Sequence, residues 1–387
     1  MAETAIVLSG GGARGAYEVG ALSVLLPVLE ARGERPTIVV GTSVGAFNTA
    51  YIAANADRPL DEALQGGIGW WSDLRWRDVM APLTSPRAVL RSLRYLGRLI
   101  WVKQPRIDAL VHPDPLPATL ERIVAFDRLR ANVDDGTVRA AAVTTTSALT
   151  SRTVVFHAGE GAPPRDETRG IDYVPTPIEP DHVLASGAIP GLFPARHVGT
   201  PERARGWYFD GGTRLNTPIK PALELGADRV VVIGLNSLAR EPDEPLASDD
   251  EPDIFEGAAQ LLQALLIDPL EEDVRSLAEE NLPGHEGRKI PYIFVTPRER
   301  HGIGEVASSI WRERYSGLRG FLRDRDLNVL GRFTAAGNGP IHGELLSFLF
   351  FAPEFARALI EIGQADARAW LAETHDDGPW RLGPPPE

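Results

Sequence analysis

The 387-residue chain contains no cysteine. That excludes disulfides, thiolate-bound zinc and a cysteine nucleophile. It also lacks any stretch of about 18 uncharged apolar residues, so no membrane-spanning helix is expected. Positive charge is in short supply: 40 Lys and Arg face 53 Asp and Glu, a formal net charge of −13. Nucleic acid is therefore not an expected partner, because phosphate binding needs a basic face. Whole-molecule attraction to anionic lipid is not expected either, which leaves only local patches for such contact. Met1-Ala2-Glu3 is too short for a signal peptide ahead of the apolar run Thr4 to Leu8. With the missing thiols, this predicts a soluble cytoplasmic protein.

What the chain does have is a 43% apolar composition, enough for a sizeable core in one large α/β domain or two modest ones. Thr4 to Leu8 reads as a buried strand. A glycine-rich turn, Ser9 to Gly15, leads to a helix from Ala16 to Arg32, with Pro27 predicting a kink or early end and Gly33 a stop. Thr37 to Val40 reads as a second buried strand, followed by a sharp turn at Gly41 to Gly45 and a helix from Ala46 to Asn55. Strand–helix–strand–helix implies parallel strands joined by right-handed crossovers. Further strands are expected at Val138–Thr145, Thr153–His157, Trp207–Phe209, Arg229–Leu235 and Pro291–Thr296, with a helix closing over Ala222–Gly226. The segment Leu60 to Leu120 reads as a helical insertion. Glu241 to Asp253 is acidic and proline-bearing, hence a loop, and the end from Gly378 to Glu387 reads as a loose tail.

The turn Ser9-Gly10-Gly11-Gly12-Ala13-Arg14-Gly15 opens a helix, where free N–H groups and the helix dipole favour negative charge. Such a turn can hold a phosphate or a transient oxyanion. Gly10, Gly12 and Gly15 also fit the G-x-G-x-x-G dinucleotide pattern, and a tight turn without a ligand is a third reading. The second turn, Gly41-Thr42-Ser43-Val44-Gly45, is a G-x-S-x-G, in which small residues two places either side let the backbone pinch and hold a strained serine above the sheet. Both turns end neighbouring parallel strands, so they should lie side by side on the ligand-binding edge of the sheet.

A serine hydroxyl needs a base. The histidines at 112, 157, 182, 197, 285, 301, 342 and 375 occupy no recognisable catalytic setting. Asp210, in Tyr208-Phe209-Asp210-Gly211-Gly212, ends a short apolar strand and fits better, although an aspartate before glycines is also ordinary turn chemistry.

Together these residues resemble the patatin-like phospholipase family. Gly10-Gly11-Gly12-Ala13-Arg14-Gly15 is similar to its oxyanion motif, Gly41-Thr42-Ser43-Val44-Gly45 to its nucleophile elbow, and Asp210-Gly211-Gly212 to its aspartate motif. Ala185 to Pro194 is similar to the segment preceding that aspartate. The resemblance spans about residues 4 to 236. It implies a three-layer α/β/α fold with a mainly parallel sheet, helical insertions and a helical C-terminal part. It implies a Ser43–Asp210 dyad without histidine, an oxyanion held by amides around Gly11 and Gly12, and hydrolysis of lipid carboxylic esters through an acyl-enzyme. Arg14 would support the loop or meet a negative headgroup, or make an ordinary salt bridge. No metal or cofactor is implied. Ser9 departs from the acid that many relatives carry before the triple glycine, which bears on loop support.

The domain reading is a catalytic core over 4–236 with an insertion at about 60–120, an acidic loop at 237–258, a mainly helical part at 259–376 packing on the core, and a tail at 377–387. Arg87, Arg91, Arg94 and Arg98 share one face of a helix that begins at Ser85-Pro86, opposite Val89, Leu93, Leu96 and Ile100. That pattern fits a surface helix, an active-site cap or a peripheral membrane contact. Leu345 to Phe351, with Phe355, Leu359, Ile360 and Ile362, reads as core helix or as a wall for acyl chains, and Trp70, Trp71 and Trp76 carry the same two readings. The lipid ester is the one expected partner, and the sequence specifies no oligomeric state. Two other readings stay open: an esterase or thioesterase with a Ser–His–Asp triad, and a nucleotide-binding module built on the glycine turn.

Overall fold

The computed structural model describes residues 2–83, 111–159, 161, 165–238, 257, 277, 281, 289–334, 340–373 and 378–382. The first apolar run is β1 (Thr4–Leu8), buried along its length. The glycine turn tightens into one turn of 3-10 helix at Gly12–Gly15 and continues as α1 (Ala16–Ala31). β2 (Ile38–Thr42) hands over at Ser43 to α2 (Val44–Ala54). Then come α3 (Leu60–Asp73), the single turn α4 (Trp76–Val79), α5 (Leu116–Ile123) and α6 (Phe126–Asp134). β3 (Ala140–Ser147), β4 (Thr153–Gly159), β5 (Arg165–Asp166) and β6 (Ile171–Pro175) precede α7 (Pro180–Ser186). β7 (Arg196–Val198), β8 (Gly206–Asp210), α8 (Ile219–Glu224) and β9 (Arg229–Ile233) follow. Beyond them lie β10 (Tyr292–Val295), α9 (Gly302–Arg314), α10 (Gly317–Arg323), α11 (Arg325–Thr334), α12 (Pro340–Leu349) and α13 (Pro353–Ala372).

One sheet runs β10-β9-β1-β2-β3-β4-β6-β5, with β8 on β3 and β7 on β8. The half from β10 to β3 is parallel throughout, and it carries both glycine turns at strand carboxyl ends. β4 and β8 pair antiparallel with β3. β3 shows why the architecture has three layers. Its alternate residues Ala141 and Val143 pack with α2, α5, α6 and α7, while Ala140 and Ala142 face the other core with α1 and the C-terminal helices.

The C-terminal residues are built into the same core: β10 extends the parallel sheet, and α13 packs along α1, where Tyr17 donates to Asp366 at 2.9 Å. The expected kink or early end at Pro27 does not shorten α1, which runs through to Ala31 before Gly33 turns left-handed at φ 70°. Proline removes one hydrogen bond, and burial of the helix between sheet and helices outweighs that loss. Three short strands, β5, β6 and β7, were not expected. β5 and β7 are edge pieces and β6 lies just inside β5, all with too little apolar alternation to read. The arginine-faced helix expected after Ser85 and the acidic loop over Glu241–Asp253 lie outside the described residues. No helix among the described residues is long and apolar enough to cross a membrane.

Candidate active site

Ser43 stands between β2 and α2 with φ 54° and ψ −123°, a conformation an L-residue adopts only under constraint. The flanking glycines supply the constraint. A Cβ on Gly41 would lie 2.2 Å from the Gly45 carbonyl oxygen, and one on Gly45 would lie 2.4 Å from that of Leu8. The backbone is thus pinched at both ends, as the sequence pattern implies. Ser43 N–H donates to Ser186 Oγ at 2.8 Å, and Ser186 Oγ donates onward to the Thr144 carbonyl at 2.6 Å. The elbow is tied in this way to β3 and to the end of α7.

Register explains how Asp210 arrives. One edge of β3 pairs with β2 as far as Thr144 opposite Thr42. From Thr145 onward the same edge pairs with β8, and Thr145 lies opposite Asp210. β8 therefore begins where β2 ends, and the residue after Thr42 meets the last residue of β8. The Ser43 side chain lies close enough to the Asp210 carboxyl group to favour its ionised form. Gly212 N–H donates to Asp210 Oδ1 at 2.7 Å, at the start of a 3-10 turn over Gly211–Thr213. Asp210 N–H is held by the Ala188 carbonyl at 2.9 Å. Burial pushes the Asp210 carboxyl up to about 7, against the opposing pull of Ser43 and the Gly212 amide.

The glycine turn lies against the elbow. A Cβ on Gly10 would sit 3.0 Å from Ser43 Cβ and 2.5 Å from Asn216 Oδ1. Asn216 grips the Gly10 amide through its side chain at 3.0 Å and its carbonyl at 3.2 Å. The Arg14 amide donates to the Gly11 carbonyl. Gly12 has φ 60°, and a Cβ there would lie 2.2 Å from the Phe348 carbonyl of α12. Ala13 and Gly15 are buried at the turn's far end. Arg14 is buried and turned away from Ser43: it pairs with Glu344, donates to Ser347 and Asn236, and stacks on the Phe348 ring at 4.0 Å. Of the three roles open to Arg14, the structure shows loop support through a salt bridge.

Below the turn, Asn48 Nδ2 donates to the Gly15 carbonyl at 3.1 Å and to Glu18 Oε2 at 2.7 Å, while Trp71 Nε1 donates to Asn48 Oδ1 at 3.0 Å. Burial pushes the Glu18 carboxyl well above the usual range. Ser43 lines a cleft. Its walls include Val44, Phe47, Trp70, Trp71, Ile189 and Phe351, and are almost wholly apolar. The tryptophans and the 345–351 run are divided between core and cleft lining. Trp76, Leu346 and Phe350 are buried core, whereas Trp70, Trp71 and Phe351 also line the cleft.

Three of the described histidines are engaged elsewhere. His182 accepts from the Glu179 amide and meets the Thr200 carbonyl, His197 packs on Trp207, and His301 faces Glu344. Three site residues escaped sequence reasoning. Ser186 lay inside the recognised Ala185–Pro194 stretch, which was its only signal. Asn216 and Phe348 carried none, because their partners are more than 200 residues away in the chain.

The patatin-like phospholipase family model matches residues 6–223, more than half of the chain. The chain belongs to that family. It is also similar in structure to VipD from Legionella pneumophila, at 14% identity and a TM-score of 0.35, over 95% of this chain and 66% of that one. Human GIVD cytosolic phospholipase A2 gives 11% identity and a TM-score of 0.39, over 95% of this chain and 60% of its own. The chain thus spans less than two thirds of these structures. No curated protein matches it.

Proposed function

We propose that the chain is a serine-dependent acyl hydrolase of lipid carboxylic esters, with phospholipid or lysophospholipid as substrate, working through a Ser43–Asp210 dyad. One observation carries this reading: Ser43, which lines an apolar cleft, stands beside the buried Asp210 carboxyl group and acts on its ionisation. In the proposed reaction the cleft takes an acyl chain and presents its ester carbonyl to Ser43 Oγ. Asp210 accepts the hydroxyl proton as the C–O bond forms, then gives it to the leaving alcohol as the tetrahedral intermediate collapses. Water activated by Asp210 hydrolyses the acyl-enzyme and restores the serine.

A base with a pKa near the working pH balances availability against driving force. The amides of Gly11 and Gly12 serve as oxyanion donors in this scheme, since those of Gly10 and Arg14 already bond within the protein. Each such donor contributes about 3 kcal/mol to the transition state. The nucleotide reading gives no role to an elbow serine beside the glycine turn. The triad reading needs a histidine between Ser43 and Asp210, and the groups that act on the Asp210 carboxyl are Ser43 and the Gly212 amide.

The test is labelling with a fluorophosphonate, followed by a panel of phospholipid and lysophospholipid substrates. Wild type should label and Ser43→Ala should not. Equal labelling of both proteins would remove Ser43 as the nucleophile.

A further inference from the structure

Among the described residues, the large apolar side chains that face solvent are Leu149, Trp207, Leu318, Leu322, Phe333 and Leu382. Three of these fall on α10 and α11. Leu318 and Leu322 are 75% and 74% exposed and, four residues apart, share one face of α10. The opposite face explains their orientation. Gly320 is buried, and a Cβ there would lie 2.0 Å from the Tyr315 carbonyl oxygen, so α10 seats its glycine inward and turns its leucines out.

The same helix carries Arg319 and Arg323 and no acid. From Arg312 to Thr334 there are six arginines (312, 314, 319, 323, 325 and 332) against Glu313, Asp324 and Asp326, a net +3 within a chain of −13. This island adjoins the cleft. Asp324, which ends α10, lies within electrostatic reach of Arg77 on α4, and Val79 and Met80 beside it line the cleft. Tyr315 packs edge-on against Phe350, next to the lining residue Phe351.

We propose that α10 and the start of α11 form a docking face for an anionic lipid surface, with Leu318 and Leu322 entering the headgroup–acyl boundary and Arg319 and Arg325 meeting phosphates. The pairing of projecting leucines with the exposed Arg319 and Arg325 fits that occupant, because the bilayer interface rewards both at once. Docking there would set the cleft-lining residues Val79, Met80 and Phe351 toward the membrane side of the protein. The inference rests on the lipid-hydrolase reading, and its test is separable from it.

The Ser43→Ala protein, which leaves lipid intact, is sedimented with vesicles of phosphatidylglycerol and phosphatidylcholine or of phosphatidylcholine alone. Binding to the anionic vesicles is expected, and should fall about tenfold or more without the anionic lipid or at high salt. Leu318→Ser with Leu322→Ser should reduce it by a similar factor. Arg319→Glu should do so on anionic vesicles only; Arg323 is the poorer choice because it is tied to Glu354 and Tyr315. In the otherwise wild-type protein, both variants should keep full turnover of a soluble short-chain ester. Absence of binding to anionic vesicles, or binding unchanged in both variants, would overturn the proposal. So would a dimer that the leucine substitutions dissolve without any vesicle binding, since the face would then belong to a second copy. Failure of the wild type to cleave the soluble ester would count against the hydrolase reading alone.

Discussion

Ser43 and Asp210 each hold a state that the isolated residue would not choose, and each departure makes a measurable claim. In the proposed dyad only ionised Asp210 can take the serine proton, so kcat/KM should rise with pH through an inflection near 7 and be lost below it. Stability should move the other way. The folded pKa lies above the unfolded value of 3.8, so the folded state binds the extra proton between those limits, and stability falls as pH rises from about 4 to about 7. Asp210→Asn should therefore raise the unfolding free energy at pH 8, by on the order of 2–4 kcal/mol, while reducing turnover about 10⁴-fold. Thermal melts at pH 5 and 8, set beside rates, check both; a melting temperature at pH 8 unchanged or lowered would contradict the assignment. Ser186→Ala leaves the Ser43 amide and the Thr144 carbonyl without partners, at a cost of about 1–3 kcal/mol. It should lower kcat more than it raises KM, because it loosens the nucleophile and leaves the cleft walls intact.

At the level of elements, the glycine turn shows what periodicity and motif reading can and cannot reach. The pattern required glycines there, and the pinch at Gly41 and Gly45 is what such a pattern means in atoms. It did not say which neighbour forbids a side chain. At Gly12 the obstacle is a carbonyl oxygen of α12 combined with φ 60°; at Gly33 φ is 70° but nothing lies within 4 Å. Gly33→Ala should thus cost only the left-handed penalty, about 1 kcal/mol. Gly12→Ala should cost more than about 3 kcal/mol, because backbone must move as well. Urea denaturation of the pair checks the contrast, and equal losses would mean that α12 does not press on the turn. β5 to β7 and the length of α1 past Pro27 were illegible for a related reason: short edge strands and packed helices owe their existence to neighbours, not to local pattern.

For the whole molecule, the consequential contact joins the two ends of the chain. Arg14 leaves the glycine turn and reaches Glu344, Ser347 and the Phe348 ring on α12, while Tyr17 reaches Asp366 on α13. Removing one partner of a buried ion pair strands the other. Glu344→Ala should destabilise the protein by about 3 kcal/mol or more and lower activity with it, since the turn loses its clamp. Truncation before α12 should leave no folded enzyme. A truncated chain that still labels with fluorophosphonate would show that residues 4–236 suffice.

The residues themselves determined the parallel strand–helix units, the two glycine turns at their carboxyl ends, and the placing of Ser43 and Asp210 at strand ends, because each of these is written in a short stretch whose spacing has a local physical cause. Tertiary structure alone decided that Asp210 meets Ser43, since that depends on β8 taking over the edge of β3 where β2 stops. It alone set the carboxyl group near 7, and it alone recruited Asn216, Ser186 and Phe348 to hold the turns. Burial, and pairing across long stretches of chain, are properties of the packed molecule that no local run of residues contains.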